Sequence, residues 1–348
     1  MSDPTPIRTE IASLGEFGLI DYLAKKNRTI HSSTLKSIGD DAAVIDPQGK
    51  KMLVSTDLLI EGIHFDLMYT PLKHLGYKSI VANVSDIIAM NAIPSQVTVS
   101  IALSNKVSLE ALTELYEGIY AACDAYQVDL VGGDTTSSQK GLLISVTAIG
   151  WADEDDICYR NTAKVGDLIC VTGDLGAAFL GLQILEREKQ LFLSDTKIQP
   201  DLEDQQYLIG RQLKPEARLD IIQSLKRAKI KPSSMIDISD GLASELLHIC
   251  TQSNVGALIV ESQVPLHPDT QLMALKFKLD PITTALSGGE DYELLFTIHP
   301  DDHQLIQHLA DIYVIGEIKP ASEGIQLQTT GGNFHPIKAQ GWNHFNNI

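Results

Sequence analysis

Short β-rich runs alternating with helical stretches predict a mixed α+β / α/β fold in two domains. At about 100–200 residues per domain, the 348-residue length makes two domains the starting expectation. Apolar residues make up 44% of the chain and charged residues 21%, a globular balance that excludes disorder, collagen-like repeats and a coiled coil. The polar stretch ADEDDICYRNTAKVGD, near residues 150–165, divides the chain. We place the boundary there, giving domains of residues 1–152 and 153–348.

Taken in order, residues 51–55 (KMLVS) read as a strand. Residues 71–90 carry Leu72, Leu75, Ile80, Val84, Ile87 and Ile88 at helical spacing. Residues 96–103 (QVTVSIAL) alternate with period two, and 108–126 read as a helix with Ser108 as N-cap. Residues 129–131 and 142–151 are strand-like, so the first domain should hold a mostly antiparallel or mixed sheet. In the second half LICVTG restarts an apolar run and 176–188 read as a helix. Residues 194–203 form a polar loop with Pro200. SSMIDI (233–238) is a strand running through a turn at 239–241 into a helix at 242–251, and 292–298 is a further strand. No 20–50-residue repeat is visible.

The chain carries 27 Lys+Arg against 45 Asp+Glu, a formal net charge of -18. Such a field repels nucleic acid and anionic lipid, so neither is expected as a partner. An anionic substrate would need a local offset, which divalent metal supplies. No run of about 18 apolar residues spans a membrane, and the first residues lack a basic start followed by an apolar stretch. Cys123, Cys158, Cys170 and Cys250 form no C-x-x-C pair and read as buried thiols of a reducing compartment, which makes a cytoplasmic location the expectation.

Five aspartate-bearing turns flank apolar segments: IGDDAAVI (38–45), VSTDLLIEGIHF (54–65), NVSDIIAM (83–90), VGGDTTSS (131–138) and IDISDGLASEL (236–246). A lone Asp at a strand end is most often a cap or turn former. Five together favour a shared metal site. Two unit charges ~4 Å apart repel by about 4 kcal/mol at an effective dielectric of 20, so carboxylates converge only around protons or cations. Asp with Ser and Thr is a hard oxygen set, suited to Mg²⁺ rather than zinc. On its helix NVSDIIAM places Asn83 and Asp86 on one face. A P-loop, a protein-kinase motif set, H-E-x-x-H and G-x-S-x-G are all missing. VTGDLGAAFLGL (171–182) opens a helix with a Gly-rich turn that could hold phosphate, although a structural turn is the stronger reading.

GEFGLI (15–20), the five turns above, LSGGEDYELLF (286–296) and the terminal GWNHF (341–345), in this order, resemble the thiamine-monophosphate kinase family of the aminoimidazole-ribonucleotide-synthetase-like superfamily. The resemblance implies an N-terminal domain that dimerises through its sheet, a C-terminal α/β domain and ATP bound in the cleft between them. It implies ATP-dependent phosphorylation of thiamine monophosphate to thiamine diphosphate, with several Mg²⁺ ions. It places metal ligands at Asp41, Ser55, Thr56, Asp57, Asp86, Asp134, Asp237 and Asp240, with Asp57 and Asp240 catalytic. For ATP it points to Tyr116, Gly133, Asp134, Arg160 and Ser239, and for thiamine monophosphate to His64, Glu290 and Trp342. RQLKPEARL (211–219) matches the family only loosely and receives no site. Two alternatives stay open: another ATP-dependent enzyme of the superfamily, and a non-enzymatic nucleotide or Mg²⁺-binding protein.

Overall fold

The computed structural model describes residues 22–37, 44–104 and 106–338. Two compact units emerge, one comprising residues up to Ile87 with Ile93–Asp153, the other Ile88–Ala92 with the chain from Glu154 onward.

The first unit is built on a four-stranded sheet. Its strands are β3 (Lys51–Ile60), β4 (Ile93–Leu103), β5 (Asp129–Ser137) and β6 (Leu143–Ala152), in the order β3-β6-β4-β5. Only β4 and β5 run parallel, so the sheet is mixed. A small antiparallel pair, β1 (Thr34–Lys36) with β2 (Val44–Ile45), precedes it. Asp129, fully buried, pins this entry segment by accepting from the Ile30 and His31 amides and the Thr34 hydroxyl. Helix α1 (Leu72–Ala89) buries Leu75, Ile80, Val84, Ile87 and Ile88, as their spacing predicts. Ile87 fills the space over Gly150, where a Cβ would lie 2.2 Å from its Cγ2. Helix α2 (Leu109–Tyr126) is capped by Ser108, whose hydroxyl accepts from the Ala111 amide at 3.3 Å. α1 and α2 meet backbone to backbone at Gly76 and Gly118. A Cβ on either would fall about 2 Å from the other helix's carbonyl oxygens.

The second unit carries a seven-stranded sheet of β7 (Leu168–Thr172), β8 (Ser234–Asp237), β9 (Val255–Val260), β10 (Leu294–Ile298), β11 (Ile312–Pro320), β12 (Ile325–Gln328) and β13 (Phe334–Pro336). The order is β13-β12-β9-β11-β7-β10-β8, parallel only between β9 and β12. Helices α3 (Ala177–Ser194), α4 (Gln206–Leu213), α5 (Leu219–Ala228), α6 (Leu242–Ser253), α7 (Pro268–Lys276) and α8 (Pro281–Ser287) accompany it, and a single turn α9 (His303–Ile306) follows β10. Leu242, Leu246 and Ile249 of α6 join Ile169, Val171, Ile236, Leu295 and Ile315 of the strands in one core. A second cluster joins Leu180 and Ile184 of α3 to Leu208 and Met273. RQLKPEARL straddles the end of α4 and the start of α5. Its two arginines grip the buried Glu293: Arg211 at 3.0 Å and Arg218 at 2.7 Å.

All four cysteines are free and buried, as expected. Burial pushes the thiols of Cys123, Cys158 and Cys250 up to about 12, which keeps them protonated and unreactive. Among the described residues no helix is long and apolar enough to cross a membrane.

Candidate active site

In the first unit the chemistry gathers where α1 lies over the edge strand β3. Successive strand residues face opposite sides, so Ser55 and Asp57 share one face and Thr56 takes the other. Ser55 Oγ donates to the Asp86 carboxylate at 2.5 Å, and Asn83 Oδ1 accepts from the Asp57 amide at 3.0 Å. Asn83, fully buried, is itself held by donating to the Ser79 carbonyl. The three-residue spacing of Asn83 and Asp86 thus serves two neighbouring strand positions, as the helical face predicts. Desolvation raises the Asp57 carboxyl above the ordinary Asp range. The Thr56 hydroxyl points away from this group, donating to the Val146 carbonyl and accepting from Thr147.

Asp134 stands on the opposite edge of this sheet. Asp57 pairs with Val146, Val146 with Val99 and Val99 with Gly133. The Asp57 and Asp134 backbones are therefore three strand spacings apart, about 14 Å. Gly133 hugs β4: a Cβ there would fall 1.9 Å from the Val99 carbonyl oxygen, so the position admits only glycine. His64 Nδ1 accepts from the Ile60 amide at 3.0 Å, which leaves the neutral ring's proton on Nε2. Tyr116 is 9% exposed, packed in α2 with its ring 6.1 Å from that of Tyr120, so at most an edge of it reaches a ligand.

The second unit concentrates its chemistry on two hydrogen-bonded segments. The β8/β10 ladder continues past its strands: the Ile238 amide donates to the Glu293 carbonyl, Tyr292 to Ile238 and Glu290 to Ser239. The ISDG turn with Asp237, Ser239 and Asp240 is thereby tied to the GGEDYE loop. Gly289 packs on the Ser239 carbonyl, where a Cβ would sit at 2.4 Å. Glu290 and Tyr292 both hold left-handed backbone, φ 66° and 53°, which non-glycine residues adopt at a cost of about 1–3 kcal/mol. The three acids of EDYE have different hydrogen-bond partners, although Arg211 lies between Asp291 and Glu293. Gln212 Nε2 donates to Glu290 at 2.6 Å. Asp291 accepts from the Gly176 and Ala178 amides at 2.7 and 3.3 Å, and Glu293 from Thr172, Arg211 and Arg218.

Asp291 thus occupies the start of α3, and the Gly-rich turn of VTGDLG binds a carboxylate of its own chain, not a phosphate. Burial pushes the Asp291 carboxyl up to about 7, against the lowering by Arg211 and the two amides. Glu245, on α6, accepts from the Asp240 amide at 3.0 Å and the Ser239 hydroxyl at 3.4 Å. Desolvation pushes it up to about 7, opposed by the Asp240 amide and by Arg160, whose charge reaches it. The Arg160 carbonyl is fixed by the hydroxyls of Ser234 and Ser253.

Asp41 and Trp342 lie outside the described residues. Among those described, no three His, Cys, Asp or Glu side chains group tightly enough to hold an ion unaided. The donors are nonetheless hard oxygens in small sets: Asp57 and Asp86 with Ser55, Asp237 and Asp240 with Ser239. Mg²⁺ is bound this way, by one or two carboxylates completed by water and substrate phosphate, so the residues fit it.

The family model described as AIR synthase related protein, N-terminal domain, matches residues 39–152, and its C-terminal counterpart matches 164–327. Thiamine-monophosphate kinase of Bacillus subtilis is 34% identical over 95% of this chain and 100% of its own length. That of Aquifex aeolicus is 35% identical over 96% and 99%. The chain belongs to the thiamine-monophosphate kinase family. It is accordingly a kinase with the two-domain AIR-synthase-like fold. A solved structure of AaThiL complexed with AMPPCP and TMP superposes with a TM-score of 0.73 at 32% identity, covering 99% of this chain and 100% of that one. The hydrogenase maturation protein HypE in complex with ATP shares the fold at 17% identity and a TM-score of 0.70.

Three residues that hold the candidate groups in place escape a reading of the motifs. Asn83 is visible on the helix face but has no assigned task. Glu245 is an acid in the first turn of α6, a common position that carries no functional signal. Gln212 lies in the loosely matching RQLKPEARL, where nothing marks it as a partner of Glu290.

Proposed function

We propose that the chain transfers the γ-phosphoryl group of ATP to thiamine monophosphate, yielding thiamine diphosphate and ADP. The observation that carries the reading is the likeness, over nearly the whole of both chains, to a structure whose ligands are an ATP analogue and TMP. Asp41, Ser55, Thr56, Asp57, Asp86, Asp134, Asp237 and Asp240 would hold Mg²⁺, Thr56 through its backbone, since its side chain faces the other side of the sheet. Tyr116, Gly133, Asp134, Arg160 and Ser239 would serve ATP, and His64, Glu290 and Trp342 thiamine monophosphate. The bound cations supply charge neutralisation between two phosphates.

The acceptor is a phosphate monoester with a second pKa of about 6, already a dianion at neutral pH. No general base is required. The remaining task is in-line positioning of two anions. His64 would contact thiamine monophosphate. Glu290, steadied by Gln212, would meet the cationic or amino side of thiamine, and Trp342 would offer it an aromatic face.

Incubation with Mg²⁺, ATP and thiamine monophosphate should produce ADP and thiamine diphosphate in equal amounts. ATP turnover without thiamine diphosphate would overturn the reading in favour of another superfamily reaction. With a chiral γ-phosphate, direct transfer inverts configuration; retention would require a phospho-enzyme.

A further inference from the structure

Glu245 is almost fully buried at 3% exposure, and its carboxylate faces the turn that carries Ser239 and Asp240. A first-turn acid ordinarily serves its own helix by satisfying unpaired amides there. Glu245 does something else. α6 begins at Gly241, which has no side chain to cap with, and the Ser244 and Glu245 amides already donate to the Gly241 carbonyl. The groups that Glu245 holds, the Asp240 amide and the Ser239 hydroxyl, precede the helix. One oxygen, Oε1, accepts from both.

A carboxylate is an acceptor only, whereas a serine hydroxyl has one proton and two lone pairs. Facing the ionised form of Glu245, Ser239 gives its proton inward, and Oγ then presents lone pairs elsewhere, as a cation or an N–H donor requires. The opposite side of the turn is fixed too, by the Glu290 amide on the Ser239 carbonyl and by Gly289 packed on the same oxygen. We propose that Glu245 is a positioning residue for nucleotide and metal: it fixes the Ser239–Asp240 turn so that the Asp240 carboxylate and the Ser239 lone pairs are presented to them. This rests on the proposed roles of Ser239 and Asp240.

The test uses the full chain and compares Glu245→Ala, which removes the acceptor, with Glu245→Gln, which keeps a carbonyl oxygen for both donors. Affinity for Mn²⁺ with a non-hydrolysable ATP analogue, measured by calorimetry, should fall about tenfold or more in Glu245→Ala, the scale of a lost hydrogen bond to a charged group. It should stay within about threefold in Glu245→Gln, because the geometry survives. kcat should follow affinity, while KM for thiamine monophosphate should change less than the analogue affinity, because the Glu290 side chain is held by Gln212. Wild-type affinity in a folded Glu245→Ala, equal losses in the two variants, or a loss confined to the thiamine monophosphate KM would each overturn the proposal. Should Glu245→Ala fail to fold, Glu245→Asp withdraws the oxygen by one methylene: weakened Mn²⁺·analogue binding supports the role and wild-type binding overturns it. Loss of that binding in a protein that never phosphorylates thiamine monophosphate would overturn the substrate reading and leave Glu245 in place.

Discussion

At the residue scale, neighbouring acids in one motif do unrelated work. In EDYE, Glu290 meets Gln212, Asp291 caps α3 and Glu293 neutralises Arg211 and Arg218. Desolvation raises the Asp57 carboxyl too, and under the proposed function a bound cation would offset it. Asp57→Asn should lower kcat by about 10²–10³, the scale for losing one electrostatic contact to a transition state. Its Tm should equal or exceed that of wild type, since a neutral amide pays less for burial. Steady-state kinetics with thermal unfolding checks both.

Asp291 makes a pH prediction. Its folded-state value, about 7, lies above the ordinary 3.8, so the folded protein holds this proton more tightly. The stabilisation is complete below about pH 4 and disappears as pH rises through about 7. The Tm advantage of wild type over Asp291→Asn should therefore shrink between pH 5 and 8; a constant difference in a melting series would contradict it.

At the scale of elements, the ISDG turn and the GGEDYE loop are one object, stitched by backbone hydrogen bonds beyond the ends of β8 and β10. Gly289→Ala forces a Cβ against the Ser239 carbonyl and should cost about 1–3 kcal/mol, the usual price of overpacking. KM for ATP should rise because Ser239 and Asp240 must move. Unchanged stability and KM would show that the loop yields instead. The sequence motifs mark both segments but not their joining. β3 shows a related limit: its pattern reads as a strand over 51–55, yet it runs to Ile60. Thr56 and Asp57 look like a turn because they are polar, and an edge strand accommodates polar side chains. The helices over 71–90 and 108–126 were legible because their apolar spacing and the Ser108 cap are local signals.

At the scale of the whole molecule, the first unit has a sheet with one covered and one open face. Leu53 and Leu59 are buried, while Met52, Val54 and Leu58, alternating with them along β3, are 57%, 56% and 45% exposed. Such a surface supports the proposed homodimer through the sheet. Wild type should elute at twice the chain mass of 38.0 kDa in light-scattering chromatography, and Val54→Asp with Leu58→Glu should shift it to one. A monomeric wild type would refute the assembly.

The sequence by itself determined the kinds of groups and their order: hard oxygen donors beside short strands, a carboxylate-rich loop, no nucleophile–base device, and through these the family. The tertiary structure decided who meets whom. Ser55 reaches Asp86 across 31 positions, Asp57 reaches Asn83 across 26, and Gly176 reaches Asp291 across 115. Periodicity tells which face of an element is apolar. Which faces pack together, and in what register, is set by cooperative burial of the whole core. The hydrogen bonds that orient each carboxylate come into being only there.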